Sequence, residues 1–147
     1  MDEEKLGKVG IMAKSAEQKS AQAFKKNRQG HQQKSAQLDQ LMLFKDEYEA
    51  RLHTLCEQGM AARQLLDYRR FLGKLNQAIH QQLKNVKVSE ESLGVAREEW
   101  ISKSRRNLAL DQLLERQKKI QLRSSEKAEQ KIADEEALAR KTIGNQP

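Results

Sequence analysis

Apolar residues recur at every seventh position from Leu65 onward: Leu65, Leu72, Ile79, Val86, Leu93 and Trp100. An α-helix makes 3.6 residues per turn, so a strict seven-residue repeat held over six positions keeps one stripe turned toward a helical partner, as in a left-handed coiled coil. A second seam precedes the first. With Leu38 at heptad position a, Leu41 falls at d, Lys45 at a, Tyr48 at d, Leu52 at a and Leu55 at d, so all but Lys45 are apolar or aromatic. Between Leu55 and Leu65 lies Gly59, the best local candidate for a left-handed residue that ends a helix. The pattern predicts an all-α fold, a long antiparallel two-helix coiled-coil hairpin with its turn near Gly59 and Met60. Its helices would run from about Lys14 to Cys56 and from about Ala62 to about Arg140, or roughly 65 Å and 115 Å at 1.5 Å per residue.

The pairing has an arithmetic consequence. In an antiparallel pair an a residue of one helix meets a d residue of the other, so partner numbers add to a constant. A constant of 120 matches Leu55 with Leu65, Leu52 with Tyr68, Tyr48 with Leu72 and Leu41 with Ile79. Continued toward the N-terminus, it sets Phe24 opposite Ala96, Ser20 opposite Trp100, Glu17 opposite Lys103 and Leu6 opposite Leu114, large against small and acid against base. Lys45 opposite Leu75 and Lys34 opposite Val86 are the misfits, and their alkyl stems can lie along the seam while the ammonium reaches water. The chain is expected to be a single coiled-coil domain over 1–147, with pairing that ends near Leu114. Residues 1–13, where Gly7 and Gly10 weaken a helix, and about 117–147 are expected to fray or to be ordered by a partner.

Composition agrees with a seam rather than a thick core. Only 37% of the 147 residues are hydrophobic, six are aromatic, and the single proline is the last residue, so nothing forces a break in a chain rich in good helix formers. The net charge of +7 would suit an acidic partner, a phosphate backbone or an anionic membrane surface. Acidic and basic residues are interspersed, however, which is how the solvated face of a coiled coil looks, and nucleic acid is not expected as a partner. One cysteine cannot form an internal disulfide, the N-terminal residues contain no apolar leader core, and no apolar stretch approaches the roughly 18 residues that span a bilayer. A soluble chain in a reducing, cytosolic setting is expected.

Catalytic chemistry is not expected. His31, His53 and His80 lie far apart, and none has a second histidine four residues on to complete a metal pair on one helix face. His53 and Cys56 could share a face, but two ligands do not make a zinc site, so no metal and no cofactor are expected. There is no glycine-rich phosphate loop, no nucleophile elbow and no small-molecule substrate cleft that a two-helix hairpin would supply. The flanks of the seam carry more information. The e flank offers Glu49 near Arg69, an ordinary solvated pair. The g flank carries Gln37, Phe44, Phe71 and Ala78, with the d residues Leu41, Tyr48, Leu75 and Gln82 beside them. Two of the three phenylalanines thus stand outside the central seam. Either they widen the core by tucking against the stems of Lys45 and Arg51, or they form an exposed apolar stripe that docks a partner protein.

The blocks Gln37-Leu38-Asp39-Gln40-Leu41-Met42-Leu43-Phe44-Lys45-Asp46-Glu47-Tyr48 and Tyr68-Arg69-Arg70-Phe71-Leu72-Gly73-Lys74-Leu75-Asn76-Gln77-Ala78-Ile79, followed by Trp100 and Leu113-Leu114-Glu115-Arg116, resemble the flagellar export protein FliJ family. The resemblance covers about Lys14 to Arg116 and includes the length and the hairpin. It implies a non-enzymatic component, similar in architecture to the central stalk of rotary ATPases, in the cytoplasmic part of the flagellar type III export apparatus. The partners it implies are the hexameric export ATPase ring, the cytoplasmic domain of the export gate protein FlhA, and export chaperones. It further implies a cytoplasmic location, peripheral to the inner membrane at the flagellar base. The family's gate-binding surface falls on Gln37, Leu41, Phe44, Tyr48, Phe71, Leu75, Ala78 and Gln82, the same g and d positions that the heptads gather on one flank. Phe44 stands where the family often has tyrosine and Gln82 where histidine can occur, so the polar contacts of those two positions differ here. Two other readings compete: the equivalent stalk of a virulence type III secretion system, and a basic coiled-coil adaptor that binds nucleic acid or anionic membrane.

Overall fold

The structure is a computed structural model and describes residues 3–144. Two helices, α1 (Glu3–Gln58) and α2 (Ala62–Gly144), pack against each other, and no strand occurs among the described residues. The hairpin expected from the heptads is therefore the observed fold. Gly59 ends α1 with φ of +94°, a conformation that side-chain-bearing residues rarely adopt. Its N–H donates to the Cys56 carbonyl at 3.3 Å, and the Leu65 N–H donates to the Ala61 carbonyl at 3.1 Å as α2 begins. Residues 59–61 are the whole turn.

Both helices exceed the expected bounds. Helix α1 starts at Glu3 rather than near Lys14, with Glu3 and Glu4 in its first turn where the helix dipole favours negative charge. Helix α2 runs to Gly144 rather than Arg140.

Contacts within the chain gather into two units. The unit of residues 18–101 contains the turn and the aromatic residues. Every a and d position of α2 from Leu65 to Trp100 is buried or half-buried, which is the burial pattern a heptad seam requires. A coiled-coil seam packs knobs into holes, one side chain entering a hole made by four residues of the facing helix, and the aromatic contacts agree with this. In the 120 register the hole for Tyr48 is made by residues 68, 71, 72 and 75. Tyr48 lies 5.0 Å from the Tyr68 ring and 4.6 Å from the Phe71 ring. The hole for Phe24 is made by 93, 96, 97 and 100. Phe24 stacks on Trp100 at 5.4 Å and 11°, with the Arg97 guanidinium 5.7 Å from the ring centre. Phe24, expected opposite Ala96, thus reaches one turn farther along the same hole, because aromatic side chains are long enough to cross a layer. On the register itself, His31 and Ser89 meet through a hydrogen bond of 2.8 Å between Nδ1 and Oγ.

The unit of residues 1–17 and 102–147 is a thinner seam. Leu6 is 1% exposed, Gly10 and Ala13 are buried, and Asn107, Leu110, Leu114 and Gln117 are half-buried. A Cβ on Gly10 would stand 3.0 Å from Leu114 Cδ1. The glycine that weakens a helix in isolation thus gives Leu114 its seat, and burial of Leu6 and Leu114 offsets the lost propensity. The Gln121 amide donates to Glu3 Oε2 at 2.7 Å, and every described residue beyond Gln117 is exposed.

A candidate partner-binding flank

The sequence-predicted g-flank residues lie in the unit of residues 18–101. Seven positions separate Gln37 from Phe44 on α1 and Phe71 from Ala78 on α2, so each pair shares one face of its helix. Phe44 meets Phe71 edge-on at 6.0 Å and 80°, and each ring also packs on Tyr48. Edge-to-face and tilted contacts of this kind suit the ring quadrupoles. The cluster does not close over its members: Phe44 remains 45% and Phe71 39% exposed. Each ring rests on Tyr48 and offers the remainder of its surface to solvent.

The other members divide by depth. Leu75 is only 6% exposed, so it belongs to the seam and presents little surface. Leu41 and Tyr48 are half-buried, and Gln37 and Ala78 are exposed. Half-buried Gln82 donates through Nε2 to the Lys34 carbonyl at 2.9 Å and to Gln37 Oε1 at 3.3 Å, which ties the two helices together beside the stripe. Gln37, Leu41, Phe44 and Gln82 line one shallow, open depression. Gln40 lines it too, although the heptads place it at an outer position; its spacing of four from Phe44 is the signal in the sequence. Tyr68 likewise joins the aromatic cluster from the seam.

Electrostatics on this flank are mild. The aromatic packing desolvates the Tyr48 phenol and raises its pKa above the ordinary 10.0; Tyr68 adds to the rise and the Arg51 guanidinium opposes it. Glu49, expected beside Arg69, pairs with Lys45 of its own helix at 3.8 Å. His53 and Cys56 stand near the turn, where His53 Nε2 lies 3.1 Å from Glu57 Oε1 and the thiol is exposed. Among the described residues no three His, Cys, Asp or Glu side chains converge as metal ligands would, and no helix is long and apolar enough to cross a membrane.

A family model described as Flagellar FliJ protein matches residues 1–145. A Flagellar FliJ protein of Salmonella typhi is 30% identical over 108 residues, covering 74% of each chain. Another, of Escherichia coli (strain K12), is 27% identical over 130 residues, covering 88% of each.

Proposed function

Because this chain belongs to the FliJ family of flagellar proteins, we propose that it is a non-enzymatic stalk and coupling component of the flagellar type III export apparatus. On this reading a stiff helical hairpin engages the hexameric export ATPase ring and export chaperones, and it presents its g flank to the cytoplasmic domain of the export gate protein FlhA. The protein works in the cytoplasm, held at the inner membrane through the export apparatus. The flagellar relatives support this system over a virulence secretion system.

The observation that carries the gate contact is the half-exposed Phe44–Phe71 pair standing on Tyr48. An aromatic pair that leaves about two-fifths of its surface in water keeps apolar area that a protein partner can still bury. Replacing both rings, Phe44→Ala with Phe71→Ala, removes that surface. Affinity for the gate's cytoplasmic domain, measured by calorimetric titration, should fall by about tenfold or more, the cost of losing one interface anchor. Far-ultraviolet circular dichroism should show unchanged helicity. Undiminished affinity of this variant would refute the gate assignment.

A further inference from the structure

The g flank continues past the aromatic pair into a groove of different chemistry. It is lined by Lys26, Asn27, Gly30, His31 and Lys34 of α1 and by Val88, Ser89 and Ser92 of α2. No aspartate or glutamate is among the lining residues, and two lysines are. Lys26 and Lys34 each stand one helical turn, about 6 Å, from Gly30. Nothing lies within 4 Å of where a Gly30 Cβ would be, so the groove is open at Gly30, between the two lysine positions. A mid-helix glycine costs stability relative to alanine, and no packing contact inside the protein uses this one.

The floor of the groove is fixed. Ser89 is buried at 8% exposure, and its hydroxyl proton goes to the Val86 carbonyl at 2.8 Å. The same oxygen therefore accepts from His31 Nδ1, which assigns the imidazole a proton at Nδ1. The Asn27 amide donates to the Ala23 carbonyl at 2.8 Å. These bonds hold the floor rigid, and the two lysines at the sides, with no carboxylate in the lining, suit the notch to carboxylates.

We propose that this notch receives carboxylate side chains from an acidic segment of the protein that lies along the g flank. The proposal rests on reading that flank as a docking surface. It adds the partner's chemistry: an apolar residue over Phe44 and Phe71, and acidic residues about 21 Å away, the rise of the fourteen residues from Gly30 to Phe44. A protein segment is favoured over a lipid headgroup or free phosphate because the notch and the apolar stripe share one flank, and a single peptide can span both.

Titration of the isotopically labelled full chain with hexaglutamate, followed by amide chemical shifts, tests the notch alone. Shifts should concentrate at Lys26–Lys34 and Val88–Ser92 and fade as salt is added. Lys26→Gln with Lys34→Gln should weaken hexaglutamate about tenfold, the loss of two exposed ion pairs. Gly30→Leu should weaken it by filling the notch, with helicity preserved. Equal shifts around lysines throughout the chain, or wild-type affinity in the double lysine variant, would overturn the proposal. So would tighter binding of inorganic phosphate, or of phosphatidylglycerol vesicles, at matched charge. The double phenylalanine variant should still bind hexaglutamate, so failure of the gate reading and failure of the notch are separately visible.

Discussion

At the scale of the residue, Gly59 and Tyr48 carry most of the local information. Gly59 is legible in the sequence as the one glycine between the two seams, and its φ of +94° gives the reason: the chain reverses there through a conformation that a Cβ would strain. Gly59→Ala should destabilise the hairpin by about 1–2 kcal/mol, read as a lowered thermal midpoint. Tyr48 is legible as a seam residue but not as the centre of an aromatic cluster, because contact with both Tyr68 and Phe71 depends on side-chain length across a layer. Its raised pKa has a determinate sign. The folded state favours the neutral phenol, so this contribution to stability is present below pH 10.0, the ordinary value, and is lost as pH rises through the higher folded value. The thermal midpoint should therefore fall on alkaline titration above that point, with a shallower fall for Tyr48→Phe.

At the scale of the element, the heptads locate the seam well and the helix ends poorly. Burial follows the a and d positions of α2 as far as Gln117, which needs nothing beyond period and register. Intrinsic propensity, weighed at Gly7 and Gly10, points to a start of α1 near Lys14, whereas the helix begins at Glu3. Gly10 allows the close approach of Leu114, a tertiary gain that propensity does not include. The seam also contains polar layers whose cost differs. His31 and Ser89 satisfy each other, and their numbers add to the same constant of 120 that pairs the apolar residues. Asn107 Oδ1 is buried without a hydrogen-bond partner. Relieving an unpaired buried acceptor should stabilise the protein: Asn107→Leu, opposite the small Ala13 in the register, should raise stability by about 1–2 kcal/mol in a thermal or denaturant melt. A lowered midpoint would show that the seam there has no room for the leucine.

At the scale of the whole molecule, stability and surface chemistry are distributed unevenly along the helices. Beyond Gln121, which still reaches Glu3, the described remainder of α2 buries nothing within the chain. Deleting residues from Ser124 onward should consequently leave the stability of the hairpin, measured in a denaturant melt, within about 0.5 kcal/mol of the intact chain, the range expected for changes outside any packed contact. The g flank is where the candidate function concentrates. Its members are legible in the sequence because seven residues make nearly two full turns, which returns Phe44 to the face of Gln37 and Ala78 to the face of Phe71. Sequence alone determined the two helices, their antiparallel register and the flank on which Phe44 and Phe71 stand, since each follows from helical period and chain reversal. Tertiary structure decided how far those rings remain in water, that Leu75 sinks into the seam, and that Gly30 opens a basic groove farther along. Exposure and shape depend on how facing side chains divide the space between two helices, and no periodicity in one chain segment contains that information.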